Sequence, residues 1–142
     1  MKKKVYIAGP LFNDHERDFL EAIALNLEKE GFRCFLPHRD LTGVEESELK
    51  MTSMTQKTKD KIFVADLTAL RESDLTVALI TGWDIDSGTS AEIGYSFAHG
   101  KPIIGIDASE RRFRNLFVEG MITEKVQNIS AIIPAIKRAF SK

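Results

Sequence analysis

The sequence predicts an α/β fold, a five-stranded parallel sheet with helices on both faces in a three-layer sandwich. Three observations carry this. The runs Val5-Tyr6-Ile7-Ala8, Leu75-Thr76-Val77-Ala78-Leu79-Ile80 and Ile103-Ile104-Gly105-Ile106 are short and almost wholly apolar, as strands buried on both faces are. Longer segments with helical periodicity separate them. Glycine or proline marks most of the junctions, including Gly9-Pro10, Gly31, Pro37 and Gly100.

The elements follow in order. Val5 to Ala8 is the first strand, ended by Gly9-Pro10. From Asp14 to Glu30, Phe19, Leu20, Ile23, Ala24 and Leu27 fall at helical spacing, and Gly31 closes the run. Arg33-Cys34-Phe35-Leu36 makes a short second strand stopped by Pro37. His38 to Thr52 is polar and aperiodic, a long loop of the kind that tends to be functional or mobile. A second helix spans about Thr55 to Val64, and Asp66 to Ser73 forms an irregular or short helical link. Leu75 to Ile80 is the third strand, and Ala91 to His99 is the helix after it. Lys101 to Ile106 is the fourth strand, followed by a charged loop from Asp107 to Arg114 and a short helix from Leu116 to Met121. Val126 marks a brief fifth strand, and a last helix runs from about Ser130 to Phe140. Right-handed crossovers then give the doubly wound, flavodoxin-like order 2-1-3-4-5. Its switch point lies between strands one and three, so Gly9-Pro10 and the stretch from Gly82 to Asp86 converge on one crevice. No repeat or linker interrupts the pattern, which predicts a single domain over residues 1–142.

Composition narrows the partners. The 142 residues carry 20 basic and 21 acidic side chains, a net charge of −1, which argues against a nucleic-acid or anionic-membrane surface. Lys2-Lys3-Lys4 reads as a solvated flank. The one cysteine, Cys34, has no partner for an internal disulfide and reads as a buried strand thiol. His15, His38 and His99 are scattered, so no metal site is expected. No stretch approaches the ~20 apolar residues that span a bilayer, and no signal peptide is legible, so a cytoplasmic location is expected.

The chemistry concentrates after the third strand, in Asp84-Ile85-Asp86-Ser87-Gly88-Thr89-Ser90-Ala91-Glu92. Placing Asp84, Asp86 and Glu92 at a strand-to-helix junction crowds negative charge into the usual binding crevice. Two readings stand for Glu92. Thr89-Ser90-Ala91-Glu92 matches a capping box, in which Glu92 folds back onto the backbone of Thr89. Alternatively Glu92 is a nucleophile, kept ionised by the helix N-terminus and left approachable by Gly88, Ser90 and Gly94. Asp66 and Tyr6 lie on the same side of the predicted crevice, and paired carboxylates with a hydroxyl suit glycosidic-bond chemistry. The first loop carries Pro10, Leu11 and Phe12 instead of a glycine-rich phosphate cradle, which suits a flat apolar ligand.

These residues resemble the nucleoside 2-deoxyribosyltransferase family. The carriers are Val5-Tyr6-Ile7-Ala8-Gly9-Pro10-Leu11-Phe12, Ala65-Asp66-Leu67 with Ser73-Asp74, the block from Asp86 to Tyr95 with Gly100-Lys101-Pro102, and Arg114-Asn115-Leu116-Phe117-Val118-Glu119-Gly120. The resemblance implies that Glu92 is the nucleophile, that Tyr6 orients it and that Asp66 is the base-binding proton donor. It further implies that Asp86 holds the sugar hydroxyls and that Asn115 reaches the sugar's primary hydroxyl from a neighbouring subunit. Gly9, Phe12 and Gly88 complete the expected substrate-binding set. The implied partners are deoxynucleosides and free nucleobases, the implied assembly is a homo-oligomer with a dimer as its minimum unit and hexamers among the members, and no cofactor is implied. Members often carry an acid before the glycine that here is Gly82, whereas this chain has Thr81. The segment from His38 to Thr52 matches poorly, and His38, Arg39 and Asp40 are its candidates for contacting the base.

The expected activity is transfer of 2-deoxyribose between bases, a salvage reaction of nucleotide metabolism. The alternative is a hydrolase of 2'-deoxynucleoside 5'-monophosphates, with Arg111, Arg112 and Arg114 available to meet a phosphate. A non-catalytic nucleotide-binding module is the third reading.

Overall fold

The computed structural model describes residues 2–41, 43–44, 47, 53–107 and 114–142. Its centre is a five-stranded, all-parallel sheet in the order β2-β1-β3-β4-β5. The strands are β1 (Lys4–Ala8), β2 (Arg33–Phe35), β3 (Leu75–Leu79), β4 (Ile103–Ile106) and β5 (Glu124–Val126). The helices are α1 (Asp14–Lys29), α2 (Pro37–Asp40), α3 (Gln56–Glu72), α4 (Ser87–Ala98), α5 (Leu116–Gly120) and α6 (Ile132–Phe140), the last preceded by a 3-10 turn at Ile129–Ala131.

Strand alternation sorts the core into two halves. Val5, Ile7, Leu75, Val77, Leu79, Ile104 and Ile106 face α1 and α6, where they meet Leu20, Ile23, Leu27, Ile132 and Ile136. Tyr6, Ala8, Ala78, Ile80 and Ile103 face the other way and pack on Leu70 of α3, Ile93 of α4 and Val118 of α5. On that second face Thr76 and Ser96 satisfy each other in a buried hydroxyl pair at 2.7 Å. In the β1–β3 register Ala8 lies opposite Ala78, so the chain leaves both strands side by side at the carboxyl edge. This is the switch point that the order 2-1-3-4-5 predicts.

Several boundaries differ from the sequence pattern. Residues 56–72 form one continuous helix, not a helix and a link. The segment contains neither glycine nor proline, and its polar residues are solvated faces of a helix that buries only Thr58 and Leu70. Pro37 opens α2 instead of ending in a loop, because its fixed φ and missing amide suit a first helical position. Helix α4 begins at Ser87, four residues earlier than expected. The brief fifth strand expected at Val126 is Glu124–Val126, which pairs with β4. Pro134 is tolerated in α6 because it lies in the first turn, where amides have no intrahelical acceptor. Cys34 sits on β2 but is only half buried, 3.9 Å from the Ala24 carbonyl, and burial pushes its thiol up to about 12. Among the described residues no helix is long and apolar enough to cross a membrane.

Candidate active site

Two helical stripes make the walls of a cavity of about 430 Å³ at the carboxyl edge of the sheet. On α3 the stripe is Phe63, Asp66, Leu67 and Leu70, and on α4 it is Gly88, Ala91, Glu92 and Tyr95. Both follow the i, i+3, i+4, i+7 spacing of one helix face. Gly9, Leu11 and Phe12 after β1, together with Pro37 and Asp86, complete the lining. The volume falls in the range of roughly 300–1,000 Å³ usual for small-molecule sites.

Asp86 decides what Glu92 is free to do. Asp86 is the N-cap of α4, its Oδ2 accepting from the Thr89 amide and the Thr89 hydroxyl at 3.2 Å each. Thr89 lies inside the helix, so the capping-box reading of Thr89 and Glu92 does not hold. The Glu92 carboxylate instead turns inward and accepts a hydrogen bond from the hydroxyl of Tyr6 through Oε2. Tyr6 is fully buried on β1, its ring stacked on Phe35 with centroids 5.6 Å apart, so its hydroxyl is held in place from below. Asp66 faces this pair from α3, and its buried Oδ1 has no hydrogen-bond partner among the described residues.

The electrostatics follow from burial. Desolvation is the main cause that lifts Glu92 to about 7, helped by the charges of Asp66 and Asp86 and opposed by the Tyr6 hydrogen bond. Burial lifts Asp66 to about 6. Burial first, then the Glu92 and Asp66 charges, raise Tyr6 far above the ordinary phenol range, so it stays a hydroxyl donor. Burial therefore raises two carboxyl groups of one cavity above the usual carboxylate range, and the Asp66 charge adds to the rise at Glu92. Among the described lining residues the charged groups are Asp66, Asp86 and Glu92, and no lysine or arginine joins them.

The structure brings Tyr6, Gly9, Phe12, Asp66, Asp86, Gly88 and Glu92 to one place. Their roles are not equal. Gly9 is required by packing, because a Cβ there would come within 2.7 Å of Leu20 Cδ2 and 3.1 Å of Leu79 Cβ. At Gly88 a Cβ would press on Asp86 Oδ2 at 3.3 Å. Gly94 faces Met121, not the cavity, so it does not keep Glu92 approachable. Asp84 is exposed and accepts from the Ile85 amide at 2.8 Å, a turn residue outside the cavity. Asn115 lies outside the cavity as well. It caps α5, its Oδ1 accepting from the Phe117 and Val118 amides at 3.0 and 3.1 Å.

The loop candidates after β2 are occupied elsewhere. His38 Nε2 pairs with Glu21 Oε1 at 3.0 Å, Arg39 with Glu28 and Asp40, and Asp40 Oδ2 accepts from the Leu36 amide. Only their neighbour Pro37 lines the cavity. Arg114 is buried and grips Asp107 through two hydrogen bonds while donating to the Gly82 carbonyl, which commits it to structure. Arg111 and Arg112 lie outside the described residues. Phe63, Leu67, Leu70 and Tyr95 were not singled out from the sequence, although their helical offsets from Asp66 and Glu92 place them on the same faces. Among the described residues no group of His, Cys, Asp or Glu has the arrangement to hold a metal.

Comparison with known proteins adds the family. The model of a family described as nucleoside 2-deoxyribosyltransferase matches residues 5–131. A conserved protein from Enterococcus faecalis V583 superposes with a TM-score of 0.80 at 23% identity, over 99% of this chain and 100% of that one. A 2-deoxyribosyltransferase from the psychrotolerant bacterium Bacillus psychrosaccharolyticus gives 0.77 at 23% identity, over 91% of this chain and 89% of its own. A CMP N-glycosidase from Clostridium botulinum gives 0.60 at 21% identity, over 97% and 100%. At such identities the likeness establishes the fold. No curated protein matches the chain.

Proposed function

The chain belongs to the nucleoside 2-deoxyribosyltransferase family, and from that premise we propose that it transfers 2-deoxyribose between nucleobases through an ester on Glu92. The observation that carries the proposal is the Glu92 carboxylate itself, released from capping by Asp86 and aimed into the cavity by the Tyr6 hydroxyl. A group that served only to fold the helix would sit where Asp86 sits.

The chemistry runs in two displacements. Glu92 attacks the anomeric carbon, the carbon–nitrogen bond breaks, and its electron pair leaves with the base. Asp66 supplies the proton that the departing base takes up. Burial raises both the Glu92 and the Asp66 carboxyl above the usual carboxylate range, so near neutral pH the site keeps a proton that either group can carry. A base nitrogen opposite Asp66 draws that proton to Asp66 and leaves Glu92 ionised, stabilised by Tyr6. A second base then attacks the ester from the opposite face and returns the proton to Asp66. Two inversions retain the β configuration. The missing 2'-hydroxyl favours the step, because an electron-withdrawing group there destabilises the positive charge developing on the sugar.

The remaining residues bind. Asp86 spends Oδ2 on the cap, which leaves Oδ1 for the sugar hydroxyls. Phe12 and Leu11 offer an apolar surface to the base. Asn115 reaches the sugar of a neighbouring subunit, and the protein is at least a dimer. Support for the assembly comes from α5, where Leu116 and Phe117 are 67% and 78% exposed, far more apolar surface than a free five-residue helix needs. Among the described residues the cavity wall carries three acidic side chains and no lysine or arginine, which favours a nucleoside over a 5'-monophosphate.

Incubation with deoxyinosine and free adenine, followed by chromatography, tests the reading. Deoxyadenosine as product supports transfer. Free sugar alone makes the protein a hydrolase, cleavage restricted to deoxynucleoside 5'-monophosphates gives the glycosidase alternative, and no turnover leaves a binding module.

A further inference from the structure

Lys101 sits between α4 and β4, after Gly100. Its ammonium donates to the carbonyl oxygens of Leu70 at 2.5 Å and Arg71 at 2.8 Å. Both carbonyls belong to the last turn of α3, where intrahelical donors run out and the negative end of the helix dipole lies. Ser73 serves the same turn, its hydroxyl and amide donating to the Ala69 carbonyl. Ser73, however, follows α3 directly in the chain. Lys101 is 30 residues away from Arg71, so its contacts tie α3 to another part of the fold.

Helix α3 depends on such a tie. It has 17 residues, yet only Thr58 and Leu70 are buried. Phe63 and Val64 on the same helix are exposed at 66% and 57%. At its other end, among the described residues, the Thr55 cap and a 3.2 Å contact from Lys61 to the Gly43 carbonyl help to hold it. Its C-terminal turn, with buried Leu70 and the two carbonyls that Lys101 meets, is one place where α3 is held over the sheet. Asp66 stands one turn before Leu70, and the chain that carries Lys101 leaves α4, the helix that carries Glu92.

We propose that Lys101 is a positioning residue: it pins the C-terminal turn of α3 to the chain leaving α4 and so fixes Asp66 opposite Glu92. The inference rests on Asp66 as proton donor, and it gives Gly100-Lys101-Pro102 a role that folding of β4 alone does not supply. Lys101 does not touch the cavity. Its effect reaches the reaction only through the place of Asp66, which faces Glu92 of α4 and Tyr6 of β1.

The test uses Lys101→Met and Lys101→Arg, each in the native and the Asp66→Asn background, with kcat and KM for base exchange and the Asp66 carboxyl titration followed by carbon-13 NMR. Lys101→Met is expected to lower kcat roughly 10- to 100-fold, the scale of a small misplacement, with little change in KM. Lys101→Arg restores most of it. In Asp66→Asn the same Lys101→Met change costs under about twofold, because the two sites act as one unit. Asp66 titrates at about 6 in the native protein and moves toward 3.8 in Lys101→Met as it is released to water. Equal losses in both backgrounds with an unmoved Asp66 titration overturn the proposal and make Lys101 a plain brace. Exchange that survives Asp66→Asn undiminished refutes the proton-donor reading instead, and the NMR arm still decides whether Lys101 holds Asp66 in its buried place. If Lys101→Met does not fold, Lys101→Gln carries the same two readouts.

Discussion

Tyr6→Phe removes one oxygen and leaves the fold a ring of the same shape. The Phe35 stack and the fully buried slot on β1 remain filled. What disappears is the hydrogen bond to Glu92 Oε2, the one influence that holds the Glu92 pKa down against burial and two neighbouring acids. A hydrogen bond to a charged group contributes about 1.5–3 kcal/mol, which corresponds to about 1–2 pKa units. Glu92 therefore moves from about 7 to roughly 8–9. At pH 7 the ionised fraction falls from about one half to between roughly one tenth and one hundredth, so kcat/KM drops ~5- to 50-fold. The loss is conditional on pH. Because the reacting form also needs Asp66 protonated, the two carboxyls titrate as a pair, and raising Glu92 by 1–2 units moves the pH optimum of kcat/KM upward by about 0.5–1 unit. Base exchange between deoxyinosine and adenine, measured from pH 5 to 10 in both proteins, gives the two limbs directly. A pH optimum of kcat/KM at the same pH in Tyr6→Phe and the native protein refutes the argument, whatever happens to the absolute rate.

Three further outcomes follow. Glu92→Gln abolishes exchange, and it also changes stability with a definite sign: because the folded pKa of Glu92 is raised from 4.5 to about 7, its contribution is full below pH 4.5 and is lost as pH rises through 7, by on the order of 3 kcal/mol. The Tm of Glu92→Gln relative to the native protein should thus rise between pH 4 and pH 8, and a constant difference contradicts the burial of the charge. Gly9→Ala destabilises by about 1–3 kcal/mol through overpacking against Leu20 and Leu79, which denaturant unfolding will show, and a neutral result means that the β1 turn relaxes freely. Mixing Asn115→Ala with Glu92→Ala subunits restores part of the activity if the site is shared, whereas a fully active monomer, or mixtures that exchange subunits and stay inactive, rules sharing out.

The alternation of strands and helices was legible because buried parallel strands leave a strong signal. Val5 to Ala8 and Leu75 to Ile80 are continuous apolar runs, and the strand order follows from them. Helix α3 left a weak one. Its polar residues at Asp66, Thr68, Arg71 and Glu72 suggested a break, but they face water or the cavity on a helix with little core contact. Hydrophobic periodicity reports burial, and α3 buries only two residues. The start of α4 was hidden for a related reason. Ser87, Gly88, Thr89 and Ser90 are poor helix formers, and nothing in their composition tells that Asp86 caps the first turn ahead of them.

The site shows the same division between what residues are and where they stand. Glu92, Asp66, Asp86 and Tyr6 were each visible as chemistry-bearing side chains at element ends. Their mutual placement was not, because Tyr6 and Glu92 are 86 positions apart and Asp66 joins them only if α3 is unbroken. The sequence left Glu92 with two readings, cap or nucleophile, and motif spacing could not separate them, since both need an acid within the first helical turns. Geometry removes the cap reading by giving the cap to another residue. Two acids lie near the start of α4, and the helix needs one of them. Asp86 meets the Thr89 amide and hydroxyl, so Glu92 can sit buried in the cavity with the Tyr6 hydroxyl as its donor. That arrangement costs stability at neutral pH, because a raised carboxyl pKa is a charge that the fold would rather see protonated. A helix that needed only a cap would have no use for such a second acid. That cost supports the proposed reading of Glu92 as a group that acts on a ligand.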